Sequence, residues 1–434
     1  MITPGYSLSA TERVLPRMAL DFTTASLDSR VTVTRALNTA TRVNSSGNIE
    51  IVNANLPRFD FSPTSIGTCR GLLIEESRAN LVLSSGDLSN ATYWVAQRAT
   101  AVGASGTAPD GTNSATLATE DTTASNNHLF GRQSVTAAAG ATITKSVFLK
   151  NGLTNGRRYA ILTMIGATNV EWVVAVVDLV AGVVTSTSNG TSGTYVSSSI
   201  TSWNNGWWRC TLTGSITGTN PNVRIQLSNT GTPASFGGFG IYTYNGDGVS
   251  NLYGWGMNVE VGAFATSYIP TTTTSLTRNA DYVSMTGANF SDWFNASEGT
   301  LVVEASTFKP TTSSSSAVVA EVNDGTLSNR NTMQYQSNLA NARTVTAGSI
   351  VVNLTQAYVA NATDKLAYAF KTNNFAFARN GSIVGSSVSA TNPTVDRLTI
   401  GSFSANTAPL NGYVKTLRYY SIRLTNAELQ AFST

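Results

Sequence analysis

Apolar and polar residues along this chain alternate in short runs and do not recur at helical spacing. In Arg30-Val31-Thr32-Val33-Thr34-Arg35 the valines share one face and the threonines the other, and Ile49-Glu50-Ile51-Val52 is a second such piece, the period-two pattern of a strand. Longer runs predict strands near 142–149, 159–165, 170–179, 207–212, 223–227 and 252–261. Turn signals separate them: Pro109-Asp110-Gly111, Asn151-Gly152, Asn155-Gly156, Asn189-Gly190 and Asn205-Gly206. Repeated short strands with such punctuation predict a sandwich, and the size of the region suits a jelly roll. A second series is expected at 299–306, 318–322, 365–371, 375–379, 398–401 and 412–422. The chain is expected to close on a short helix with Thr425 as N-cap and Glu428 three residues on, a capping box, flanked by Leu424 and Leu429 as a staple-like pair.

The predicted fold class is therefore all-β, with two antiparallel sandwich domains after an extended N-terminal segment. Residues 1–80, interrupted by Pro4, Pro16, Pro57 and Pro63, are expected to be extended, too poor in apolar residues for a core of their own, and to pack on a partner or on neighbouring copies. Residues 81–270 form the first sandwich, 271–285 a Thr-rich linker after Ile269-Pro270, and 286–434 the second sandwich.

Composition sharpens the picture. Of 434 residues, 41% are hydrophobic, enough for real cores, whereas only 12% are charged, about half of the usual ~25%. Thr, Ser, Asn and Gly fill the gap, which suits strands and turns. A net charge of +3 with scattered Lys and Arg argues against a nucleic-acid partner. No apolar run approaches the ~20 residues of a spanning helix, so no membrane insertion is expected. No signal peptide is apparent at the N-terminus. Cys69 and Cys210 are read as free thiols, since disulfides are rare in chains folded in the cytosol.

Catalytic chemistry finds little footing. The single His128 lies in Ser125-Asn126-Asn127-His128-Leu129-Phe130 without a nucleophile elbow, and is read as a surface or loop-edge residue. One His and two distant Cys lack zinc spacing. Carboxylates number 24, and the adjacent Glu75 and Glu76 would point to opposite sides of a strand, as would Glu120 and Asp121; glycosidases need a facing pair. Asn245-Gly246-Asp247-Gly248 and Asn323-Asp324-Gly325 read as ordinary turns, not calcium loops. No catalytic residue, metal or cofactor is assigned.

Sugar binding has a physical basis, because an aromatic face stacks on a pyranose while amides and carboxylates bond its hydroxyls. Two groups qualify. One is Trp203, Asn204, Asn205, Trp207 and Arg209, with Trp208 expected in the core and Trp207 exposed. The other is Tyr242, Tyr244, Asn245 and Asp247. The plain alternative is that these aromatics are core, or cover sheet edges or a subunit contact.

Several blocks carry a family resemblance: Pro57-Arg58-Phe59-Asp60-Phe61, Gly71-Leu72-Leu73-Ile74-Glu75-Glu76-Ser77-Arg78-Ala79-Asn80-Leu81, Ala108-Pro109-Asp110-Gly111-Thr112, Asn205-Gly206-Trp207-Trp208-Arg209-Cys210, Trp255-Gly256-Met257-Asn258-Val259-Glu260, Phe264-Ala265-Thr266-Ser267-Tyr268-Ile269-Pro270 and Tyr419-Tyr420-Ser421-Ile422-Arg423-Leu424-Thr425. In this order they resemble tailed-phage virion proteins of the head spike fibre and tail fibre family, with Gly254 and Met257 departing from its pattern. The resemblance implies a carbohydrate-binding-module-like jelly roll and a concanavalin A or laminin-G type C-terminal sandwich. It implies a structural protein on the virion surface, made in the host cytoplasm. The N-terminal segment would attach to other virion proteins, such proteins are commonly multimeric, and the partner would be host cell-surface polysaccharide. Because the N-terminal segment cannot bury its own apolar residues, a homo-oligomer, with a trimer expected, is read for this chain. Two readings compete with it: a bracing or decoration protein without a ligand, and a polysaccharide depolymerase, which the absence of internal repeats disfavours.

Overall fold

A computed structural model describes residues 15–434; Pro4 and the start of the expected attachment segment, residues 1–14, lie outside the described residues. The described chain is all-β and antiparallel, in two sandwiches.

The first is the expected jelly roll. One six-stranded sheet runs Gly193–Ser202, Trp208–Ile216, Ile143–Asn151, Asn251–Val261, Thr116–Glu120, Ala99–Val102. The facing sheet runs Val183–Asn189, Trp172–Asp178, Tyr159–Ile165, Asn222–Ser228, Leu129–Ser134, Val95–Gln97. Alternation decides what lies between them. Ile143, Val147 and Leu149 point inward with Cys210, Leu212, Leu162, Val173 and Ile225. Cys210 and Cys69 are both free thiols. Lys145 is also fully buried; its Nζ donates to the Arg224 carbonyl at 2.5 Å, and burial pulls its pKa well below the ordinary lysine value.

The second sandwich contains more of the chain than the sequence suggested. Its seven-stranded sheet runs Thr32–Thr34, Tyr282–Thr286, Arg397–Ile400, Ala317–Asn323, Arg330–Gln336, Leu339–Thr346, Ser349–Ala357. The facing eight-stranded sheet runs Ser382–Ser387, Phe375–Arg379, Asp364–Lys371, Glu298–Thr307, Gly412–Tyr420, Cys69–Ile74, Phe59–Phe61, and Met18–Asp21 also pairs with Gly412–Tyr420. The described part of the N-terminal segment is thus not a free arm awaiting a partner. Met18, Leu20, Val31, Val33, Phe59 and Leu72 are buried in one core with Leu301, Val303, Met333, Ile400 and Leu417. Each short stretch has too few apolar residues for a core of its own, but it needs only one face to complete an existing sheet. The ground on which self-association was expected, apolar residues with nothing in the chain to cover them, is thereby removed.

Residues 271–285 likewise carry structure. Leu276–Arg278 pairs with Arg78–Asn80 as a two-stranded ribbon, and Tyr282–Thr286 enters the seven-stranded sheet, burying Val283 and Met285. The threonine run hid this alternation. The jelly roll is therefore an insertion, and the ribbon is its neck. At the far end, the helix Asn426–Phe432 starts with the predicted Thr425–Glu428 capping box. Through Leu429 and Phe432 it covers the outer face of the eight-stranded sheet, where Val302, Ala367 and Tyr420 lie.

Charged residues are buried where the neck meets the second sandwich. Arg58, fully buried, donates from Nη1 to Glu75 at 2.6 Å and from Nε to Asp281 at 3.2 Å, and its Nη2 bonds Asp281 as well. Arg35 reaches Asp281 at 2.8 Å and Arg278 reaches Glu75 at 3.1 Å. Burial alone would raise the Glu75 carboxyl, but the Arg278 and Arg58 charges overcome it and bring its pKa down to about 2.

Glu321 shows the opposite balance. It is fully buried, with Arg330 Nε at 3.4 Å as its ion-pair partner, and burial pushes its carboxyl up to about 8. The folded protein then keeps this proton to about pH 8, whereas the unfolded chain loses it near 4.5, as an ordinary glutamate does. Between these values the unfolded state binds fewer protons, so stability falls as pH rises. Glu321→Gln is expected to flatten this stretch of the denaturation profile and to be more stable than wild type at pH 8–9, by a few kcal/mol at roughly 1.4 kcal/mol per pKa unit. A profile unchanged by the substitution would show that Glu321 is ionised in the fold.

Candidate functional site

The outer face of the first jelly-roll sheet carries the residues that alternation excludes from the core. Cross-strand pairing arranges them in rows: Ser197, Thr213, Thr144; then Ser199, Thr211, Ser146; then Thr201, Arg209, Phe148. The result is a band of hydroxyls ending in a cation and an aromatic ring. The loop before Trp208–Ile216 adds Trp203, whose ring meets Phe148 edge-on at 4.9 Å, while the Arg209 guanidinium lies 5.8 Å over the same ring. Arg209 is held by Ser146 Oγ at 3.2 Å and by the Thr266 carbonyl, and burial lowers its pKa.

This face is only partly open to solvent: Ser197, Ser199 and Thr201 on its edge strand are exposed, while Thr213 and Thr144 are buried. The second sandwich and the hairpin of Ala40–Val43 and Ile49–Val52 stand across from it, leaving a half-open cavity of about 810 Å³ between them. The opposite wall supplies Arg42, Asp60, Arg70, Phe308 and Tyr413. Arg42 is paired with Glu50 at 2.7 Å. Asp60 accepts from the Val43 amide at 2.7 Å and from the Tyr413 hydroxyl at 2.6 Å. Glu75, also in the wall, is held by Arg58, Arg278 and Ser267. Both wall carboxylates are thus committed to neighbours, unlike the free facing pair of a glycosidase.

The structure brings Trp203 and Arg209 together here, but not Trp207. Trp207 was expected on the exposed side and is 1% exposed instead, packed against Ile49, Ala108 and Trp255 with its Nε1 donating to Thr107 O at 3.1 Å. Trp207 does lie on the outer side of the sheet with Phe148 and Trp255, but there that side is covered by Ile49 of the hairpin and by Ala108 and Ala115. Trp208 is half-buried, packs at the edge of the core and donates to Leu179 O at 2.8 Å. Asn204 bonds the Gly47 carbonyl at 3.0 Å and so tethers the site loop to the hairpin, while Asn205 is exposed.

The second predicted group lies elsewhere and is largely closed. Tyr244 is buried, its hydroxyl donates to Glu120 at 2.5 Å, and Arg157 bonds the same carboxylate. Tyr242 stacks on Tyr244 at 5.7 Å and bonds Asn229. Asn245 accepts from the Ser125 amide and so joins two loops, while Asp247 accepts from the amides of Val249 and Ser250 and ties down its own. His128, expected at a surface, is fully buried behind Tyr244, at 4.8 Å between rings, with Nδ1 2.7 Å from Arg98 O. Apolar Leu129 and Phe130 begin a core strand there and carry the histidine inward.

Sequence reasoning missed Phe148 and Arg70. Phe148 was legible as the aromatic outlier on the polar face of the strand near 142–149; nothing local marks Arg70.

No protein-family model matches the chain, and no curated protein sequence matches it. Among solved structures it is similar to the CBM40 of the Ruminococcus gnavus IT-sialidase, at 14% identity and a TM-score of 0.29 over 32% of this chain and 84% of that one. It is similar also to the NanB sialidase from Streptococcus pneumoniae, at 14% identity and a TM-score of 0.28 over 34% and 26% of the two chains. A botulinum neurotoxin type C structure aligns at 10% identity and a TM-score of 0.29, over 35% of this chain and 39% of that one.

Proposed function

We propose that this protein is a non-enzymatic structural protein of a tailed-phage virion that projects from the particle and binds host surface glycans. The observation that carries the glycan-binding part is the cavity between the sandwiches, where Trp203, Phe148 and Arg209 adjoin a band of Ser and Thr hydroxyls. Aromatic edges, a fixed cation and convergent hydroxyls suit a polyhydroxylated ring. The virion part rests on the ordered sequence blocks described above. Many copies on one particle make weak sites sufficient: a millimolar site, about −4 kcal/mol, gains from effective concentration.

The test is binding of the fluorescently labelled protein to bacterial host cells with and without their surface polysaccharide. Saturable binding that disappears with the polysaccharide is expected, and Trp203→Ala is expected to weaken it tenfold or more, which is about 1.4 kcal/mol. Polysaccharide-independent binding, or none, would leave the protein a bracing element of the particle. Shortening of the polysaccharide during incubation would instead revive an enzymatic reading.

A further inference from the structure

The cavity walls hold more cationic than anionic groups that lack a match. Among the described residues neither Arg70 nor Arg209 enters an ion pair, in contrast to Arg42, which is matched by Glu50. Arg70 makes a single long hydrogen bond, from Nη1 to the Tyr413 hydroxyl at 3.4 Å, with its guanidinium 5.9 Å over that ring. Arg209 feels the buried carboxyls of Glu260 and Glu75 most strongly, and then Tyr413 and Asp60; Arg70 and Arg209 both line the same cavity. Asp60 only partly offsets them. It already takes hydrogen bonds from Val43 and Tyr413, and burial raises its pKa. Glu75 is already paired with Arg58 and Arg278.

Two half-buried guanidinium groups without a carboxylate of their own line one cleft, and planar forks of this kind suit carboxylates. On the glycan-binding reading above, and resting on it, we infer that the cavity takes an acidic sugar: its carboxylate between Arg70 and Arg209, its ring against Trp203, and its hydroxyls along the Ser199–Thr211 row. This assigns Arg70 a specificity role that its place on a short segment of the second sandwich would not otherwise suggest. It also makes the site composite, since Arg209 and Trp203 belong to the jelly roll.

The experiment compares glucuronate and galacturonate with glucose and galactose by ligand-observed NMR on the full chain. The uronates are expected to bind at least tenfold tighter than the neutral sugars, with the difference shrinking as salt is raised. Arg70→Gln is expected to abolish that difference while leaving the melting temperature near that of wild type; if the variant unfolds, the salt series on the wild-type protein decides. Equal binding of acidic and neutral sugars would overturn the acidic-sugar assignment and leave the glycan-binding reading standing. Binding of neither kind would overturn both.

Discussion

Arg58→Met is expected to lower the stability of the second sandwich by roughly 3–5 kcal/mol, the cost of removing one partner from a buried ion cluster. Arg58 is fully buried and touches both Glu75 and Asp281, so its loss strips charge compensation from two carboxylates at once. Each keeps one arginine, Arg278 and Arg35 respectively, which places the effect below outright collapse. Arg58→Lys is expected to recover only part of the loss, because one ammonium cannot span the two carboxylates that the fork joins. Full recovery in urea denaturation would mean that charge alone matters. The same cluster fixes an acid limit. The Glu75 pKa is lowered from 4.5 to about 2, so its contribution is complete above pH 4.5 and is lost as pH falls through about 2.

The second large effect concerns Trp207. Trp207→Ala is expected to destabilise the protein by about 3–5 kcal/mol, as for other large aromatic truncations in a core. The indole is 1% exposed, packs with Ile49 and Trp255, and its N–H bond to Thr107 would be lost as well. The half-buried Trp203, four residues earlier, behaves differently: its truncation is expected to reduce sugar affinity with a smaller change in melting temperature. Thermal melts of the two variants side by side check the division. A marginal shift for Trp207→Ala would place that ring at the surface, as alternation alone had suggested.

That pair of tryptophans shows where the sequence was readable. Strand runs with apolar alternation, such as Tyr159–Ile165 and Phe375–Arg379, were found at their true bounds, and the capping box at Thr425 was visible because helix starts are local. Strands such as Gly193–Ser202 and Ser349–Ala357 went unseen. Gly193–Ser202 is mostly Ser and Thr, and Ser349–Ala357 carries Ile350, Val351, Val352 and Leu354 in a run that does not alternate cleanly with polar residues. The site was half legible. Trp203 and Arg209 were chosen for the right chemistry, but the wall bearing Arg70 and Tyr413 is assembled from distant parts of the chain. The buried ion cluster was invisible for the same reason, since its pairs are long-range: Arg58 meets Asp281 across 223 residues.

The insertion of the jelly roll at a two-stranded neck bears on the order in which the protein folds. Met18 pairs with Tyr419, so the second sandwich must join segments from nearly opposite ends of the described chain. Closing so long a loop is slow and entropically unfavourable, and topologies dominated by distant contacts fold slowly. The jelly roll changes that problem. Its own strands lie between Asn80 and Leu276, and once they fold these two residues are held side by side. The intervening sequence then no longer counts as slack, and the strands flanking the neck meet as though joined by a short turn. The inserted domain thus acts as an internal clip that prepares its host for assembly.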